Sequence, residues 1–194
     1  QAIASAIDRQ TVAGIFGVSA DDQYVPPTMD GRGDAFFGVS ADVATAQARM
    51  VAAGFGPSHH LALTLAVPNN SRYIDTAAAI ATELGDAYID VTVDSSRAQF
   101  DYYSQLAASS DAYDLAISGW IADWFDPSGL LEPQLGSGYV GDATIGGNMS
   151  RWADAQTDED FAYADHLTGS ARATAFGNIA RRLATEEVPM VAFG

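Results

Sequence analysis

Three short apolar runs, Leu61–Val67, Ala87–Val93 and Asp114–Gly119, alternate with segments of helical periodicity. This spacing constrains the fold more than any other feature. Between the first two runs, Tyr73, Ala77, Ile80, Ala81 and Leu84 recur on one helical face. Between the second and third, Ser95 or Ser96 is expected to cap a helix carrying Phe100, Tyr103 and Leu106. Strand, helix, strand, helix, strand implies an α/β domain with a mainly parallel sheet flanked by helices.

The flanks extend the pattern. Gln1–Phe16 is predicted as one helix, with Ile3, Ala6 and Ile7 at helical spacing. Gly17–Gly38 is a long connection, with Tyr24-Val25-Pro26-Pro27 extended because proline restricts the residue before it. Ser40 is expected to cap a helix that stops at Gly54. After a Gly-rich loop from Gly136 to Gly147, Asp158 is expected to cap a helix to about Leu167 and Ser170 to begin another. Val188–Phe193 reads as a final strand. The repeated Gly-Val-Ser-Ala-Asp at Gly17–Asp21 and Gly38–Asp42 reads as two helix-start signals or chance. No interior boundary divides residues 1–194, which are expected to form a single domain.

Composition excludes several functions. Net charge is −16 and every one of the nine basic residues is arginine. Such a balance repels nucleic acid and anionic membranes. The absence of cysteine excludes disulfides, thiolate metal sites and cysteine nucleophiles. His59 and His60 are neighbours in an extended segment and point to opposite sides, and His166 is remote, so no metal site is expected. No Gly-x-Ser-x-Gly elbow is present, and no lysine can complete a phosphate-binding loop. No cofactor is expected. No apolar run approaches the roughly 20 residues that span a bilayer.

The chemistry concentrates in Gly119-Trp120-Ile121-Ala122-Asp123-Trp124-Phe125-Asp126-Pro127, where the third strand meets a turn. Parallel strands present their C-terminal ends to the ligand crevice. Asp123 suits a charge-assisted bond to an ammonium group, with indole walls from Trp120 and Trp124. Asp126-Pro127 suits the start of a helix. The residues alone leave two alternatives open: a ligand site, or a turn whose rings close the core. A third, an acid/base carboxylate pair of Asp123 and Asp126, lacks an environment to separate their pKa values.

These segments together resemble the extracytoplasmic solute-binding proteins of ABC importers, in the peptide/nickel-type family. The resemblance lies in Gln1–Arg9, in Tyr113-Asp114 through Pro127, in Ile74–Val93, and in Arg181 through Pro189. It implies a periplasmic-binding-protein-like lobe, the second of two that close over a ligand. The first lobe and the lipoprotein signal are then expected to lie outside this sequence. It further implies capture and delivery of peptides or another amine-bearing solute, not catalysis, by a monomer outside the cytoplasm that hands its cargo to permease subunits.

The family's amine-anchoring acid falls on Asp123 and its pocket aromatic on Trp120. Trp124, Asn148 and Asn69 complete the candidate ligand-binding set, Asn69 because its loop leaves a parallel strand at the same edge. Members of this family often carry an arginine before the Gly-Trp pair for a ligand carboxylate; Leu115-Ala116-Ile117-Ser118 has no charge there. The alternatives are a carboxylate-dependent hydrolase and a sensory or adhesive module that keeps the binding fold.

Overall fold

A computed structural model describes residues 1–108, 113–142 and 147–194. In chain order the elements are α1 (Ala2–Ala6), α2 (Arg9–Phe16), α3 (Val43–Ala52), β1 (Leu61–Pro68), α4 (Ser71–Gly85), β2 (Ile89–Arg97), α5 (Tyr102–Ala108), β3 (Leu115–Ala116), α6 (Ser128–Leu135), α7 (Ala155–Asp165) and α8 (Gly169–Arg182). A 3-10 turn, Ser137–Tyr139, follows α6, and a π turn, Leu183–Glu187, follows α8.

The three strands form one parallel sheet in the order β2-β1-β3. Leu65 of the middle strand lies opposite Val93 on one side and Leu115 on the other. Alternation along β1 assigns its two faces. Leu65 and Val67 pack with Ala77, Ile80 and Leu84 of α4 and with Met50 of α3. Ala66 faces the other way, against Tyr102, Leu106 and Ala107 of α5. The two crossover helices therefore cover opposite faces of the sheet. A third apolar cluster joins Leu131 and Leu135 of α6, Phe161 of α7, and Phe176 and Ile179 of α8, with Tyr24 and Val25 from the long connection.

The structure bears out the parallel α/β architecture and corrects several local expectations. Gln1–Phe16 is not one helix. Asp8 breaks it and caps α2, its Oδ1 accepting from Thr11 N at 2.8 Å. Arg9 is buried in the break, donating to the carbonyls of Ala4, Gly38 and Ala192. Asp42, not Ser40, caps α3 through Thr45 N. Asp154, not Asp158, caps α7 through Thr157 N, while Asp158 accepts from the backbone N–H of Ser137. In both cases the cap is the acid three residues before a threonine whose N–H it can reach.

Ser95 and Ser96 are not caps, because β2 continues through them to Arg97, opposite Pro68. Phe100 is fully exposed, and Tyr102 takes the buried position of α5. Val188–Phe193 forms no strand. Val188 has φ 55° after the π turn, and beyond it Met190 and Ala192 pack on the α6–α8 cluster while Val191 and Phe193 pack on the sheet-side cluster. Tyr24 Oη donates to the Met190 carbonyl and Arg9 Nε to Ala192, so this segment is held by loop contacts. Of the two Gly-Val-Ser-Ala-Asp copies only Asp42 begins a helix; Asp21 instead pairs with Arg32 at 2.7 Å.

Candidate ligand-binding site

The C-terminal ends of all three strands share one edge, because all are parallel. The chain leaves β1 for β2 on one side and later reaches β3 on the other, so the crevice of the sheet lies between β1 and β3. Tyr102 closes its floor. This fully buried residue places its hydroxyl 2.9 Å from Ala66 O and 2.8 Å from Ile117 O, one carbonyl from each flanking segment.

The aromatic turn leaves this edge. Trp120 is half-buried, and its Nε1 donates to Gly129 O at 3.0 Å. Trp124 is 56% exposed, its Nε1 donating to Ser128 Oγ at 3.1 Å. Its ring lies on Gly129, where a Cβ would come within 3.0 Å of Cε2. Both indoles are thus oriented by the start of α6. Ile121 and Phe125 beside them are 91% and 75% exposed. Asp123 is exposed, and among the described residues its carboxylate has no hydrogen-bond or ion-pair partner.

Asp126 has a different task. Its carboxylate accepts from Ser128 N at 2.9 Å and from two nitrogens of Arg172. The Arg172 guanidinium holds its pKa down to about 2. A group so firmly ionised cannot serve as a general acid near neutrality, and Arg172 and Ser128 N already occupy both of its oxygens.

The remaining candidates separate. Asn69 is exposed on the loop after β1, and its side chain has no partner among the described residues. Its backbone N–H donates to Arg97 O at 2.8 Å, and the next residue, Asn70, caps α4 and bonds Gln99 across to the β2 loop. Asn148 is buried at 1% exposure. Its Nδ2 donates to Gly136 O and Trp152 O, and its Oδ1 accepts from Ser150 Oγ and Trp152 N. The amide is therefore spent on the chain itself. Residues 143–146 of the adjoining Gly-rich loop lie outside the described residues. His60 pairs with Asp90 at 2.9 Å and His59 stacks on Phe55, and no metal-binding cluster occurs among the described residues.

One residue of the edge was not singled out from sequence as a site residue. Tyr103, beside Tyr102 on α5, accepts a hydrogen bond from Gly119 N at 3.3 Å, immediately before Trp120. The Tyr-Tyr pair at the start of the second crossover is its sequence signal. A larger groove of about 570 Å³ lies away from this edge, between α7 and α8, lined by residues including Tyr163, Thr174 and Asn178. It is open and carries none of the residues of the aromatic turn.

The sheet order and the helices on both faces define a lobe of the periplasmic-binding-protein type. The murein tripeptide binding protein MppA of Escherichia coli superposes with a TM-score of 0.81 at 23% identity, covering 97% of this chain and 37% of that one. DppA from Helicobacter pylori, solved in complex with the peptide STSA, gives 0.80 at 19% identity, covering 98% and 36%. Over 91 residues, 45% of this chain, the sequence is 36% identical to the peptide transport periplasmic protein SapA of Haemophilus influenzae, 15% of which is matched. Residues 1–142 match the family described as bacterial extracellular solute-binding proteins, family 5 Middle, and the chain belongs to that family. It spans little more than a third of the solved relatives and a smaller part of SapA.

Proposed function

We propose that this chain is the second lobe of a two-lobe solute-binding protein. In this reading it captures a peptide or another amine-bearing solute in the periplasm or at the cell surface and delivers it to the permease of an ABC importer. The observation that carries the reading is the Asp123 carboxylate, exposed and without a partner among the described residues, flanked in sequence by two indoles at the C-terminal edge of a parallel sheet. An acid without a cation among the described residues is available for a ligand ammonium. The family membership and the peptide-binding relatives agree with this chemistry.

The roles divide accordingly. Asp123 anchors the amine, Trp120 and Trp124 wall the pocket, and Asn69 approaches from the β1 loop. Asn148 acts indirectly, holding the loop around Gly136 and Trp152 rather than touching the ligand. The first lobe supplies the opposite wall, so the isolated chain binds weakly and closure supplies most of the affinity.

The test is native mass spectrometry of the full-length protein with a synthetic mixture of unmodified and N-acetylated tripeptides. Retention of the unmodified peptides supports the reading. Equal retention of the acetylated set contradicts the amine anchor.

A further inference from the structure

Trp124, one proposed wall of the pocket, is 56% exposed, so core packing does not set its orientation. Two contacts do. Its Nε1 donates to Ser128 Oγ at 3.1 Å, and its ring lies against Gly129. The Trp120 Nε1 donates to the carbonyl of the same glycine at 3.0 Å. Both indoles therefore take their orientation from Ser128 and Gly129, the first residues of α6.

Asp126 builds that turn. Its backbone N–H donates to Trp124 O at 2.9 Å, and its carbonyl accepts from Gly129 N at 3.1 Å. Its carboxylate accepts from Ser128 N at 2.9 Å. The same carboxylate is gripped by Arg172 of α8, Nε to Oδ2 and Nη2 to Oδ1. The guanidinium is itself fixed. Nη1 donates to Ala164 O at 3.0 Å, Nη2 reaches Asp165 at 3.0 Å, and Cζ lies 4.8 Å from the Phe176 ring centroid. An immobilised arginine, 46 residues along the chain from Asp126, thus holds the residue on which both indoles depend.

We propose that Arg172 is a positioning residue of the ligand site, setting the orientation of Trp124 and Trp120 through Asp126 before a solute arrives. This role rests on the ligand-capture reading above and needs no contact between Arg172 and the solute. An indole ordered in advance loses less conformational freedom on binding, so more of its contact is realised as affinity. The shape of the grip matters as much as its charge. A guanidinium meets both carboxylate oxygens at once and fixes the plane of the group, which a lysine ammonium cannot reproduce. One of those oxygens, Oδ1, is also the acceptor for Ser128 N, so the fork and the turn share an atom.

The experiment uses the full-length protein, labelled with fluorotryptophan, and the tripeptide it retains best from a synthetic mixture. The fluorine resonances of the two indoles are assigned with Trp120→Phe and Trp124→Phe. Arg172→Lys and Asp126→Asn break the fork from its two sides, and Ser128→Ala cuts only the last bond to Trp124. Calorimetric affinity, the fluorine spectrum and Tm are read for each. Both fork variants are expected to shift the Trp120 and Trp124 resonances and to weaken binding about three- to tenfold, the scale of one net hydrogen bond. Ser128→Ala is expected to shift Trp124 alone. The Asp126→Asn, Ser128→Ala double variant is expected to bind no more weakly than Asp126→Asn, because both changes act through one indole arrangement. Additive losses, or weakened binding with unmoved indole resonances, overturn the relay. Unchanged affinity in the fork variants, whatever happens to Tm, overturns the role and leaves the Asp123 reading standing. Asp126→Asn carries the test alone where Arg172→Lys fails to fold. Retention of no peptide by the wild-type protein overturns that reading and the positioning role with it.

Discussion

Arg172 grips Asp126 through two nitrogens, Nε to Oδ2 at 2.9 Å and Nη2 to Oδ1 at 3.0 Å. The same guanidinium reaches Asp165 at 3.0 Å and lies 4.8 Å from the Phe176 ring centroid. One arginine of α8 therefore fixes the far end of the aromatic turn, while Gly119 is held at the near end by Tyr103. Between these two anchors, Asp123 and the indoles are presented at the sheet edge.

The Arg172 fork makes a pH prediction. The folded pKa of Asp126, about 2, lies below its ordinary value of 3.8. Its stabilisation is complete above pH 4 and is lost as pH falls toward 2. After solvent screening this is about 1 kcal/mol. Asp126→Asn is expected to lose that amount at neutral pH and to match the wild type near pH 2, in urea unfolding followed across the acid range.

Glu132 behaves in the opposite sense. Burial, then the negative charge of Asp165, pushes its carboxyl up to about 7, and its Oε1 has no hydrogen-bond partner among the described residues. The folded state holds a proton that the unfolded state releases near 4.5, so stability falls as pH rises between those values. Glu132→Gln is expected to unfold like the wild type at pH 4.5 and to be about 1 kcal/mol more stable at pH 8, by chemical denaturation at both values.

Backbone proximity gives a third prediction. Gly177 of α8 faces Gly31, and a Cβ there would sit 2.4 Å from Gly31 O. Gly31 has φ 93° and is itself pressed against Ala173 O, so neither segment can easily retreat. Gly177→Ala is expected to destabilise by about 2 kcal/mol despite its better helix propensity. Thermal unfolding that shows a gain would contradict this packing.

The sheet edge gives a fourth. Tyr102→Phe removes the one hydroxyl proton shared between Ala66 O and Ile117 O; Ala66 O keeps the Ile117 N–H, so Ile117 O is the carbonyl left short of a donor among the described residues. The expected loss is about 1–2 kcal/mol with the fold retained, measured by urea denaturation.

The sequence made the architecture legible because parallel strands buried on both faces are written as continuous apolar runs, as in Leu61–Val67. The helix starts were less legible where several cap-forming residues lie close together. Ser40 and Asp42, or Asp154 and Asp158, all have cap chemistry, and only reach to the third N–H decides between them. The end of β2 was hidden because Ser95 and Ser96 signal a cap while the register with Pro68 extends the strand. The last segment has strand composition, but its carbonyls accept from Tyr24 Oη, Arg9 Nε and Asp21 N instead of from a strand.

The aromatic turn was legible as a cluster, and its division of labour partly so. Asp126 was readable as a helix start from the proline after it, whereas its partner Arg172 stands far along the chain. Asn148 looked like a ligand residue because a Gly-rich loop beside an amide suits binding; the amide instead turns inward onto Gly136 and Trp152. Tyr103 stood out only as half of a Tyr-Tyr pair, since its partner, the backbone N–H of Gly119, lies well along the chain.

The most direct measurement is calorimetric titration of the full-length protein and its Asp123→Asn variant with one retained tripeptide and with the N-acetylated form of that peptide. The account predicts that the substitution weakens binding of the free-amine peptide by about 1.5–3 kcal/mol and leaves the weak binding of the acetylated peptide unchanged. Equal affinity of wild type and variant for the free-amine peptide would contradict it.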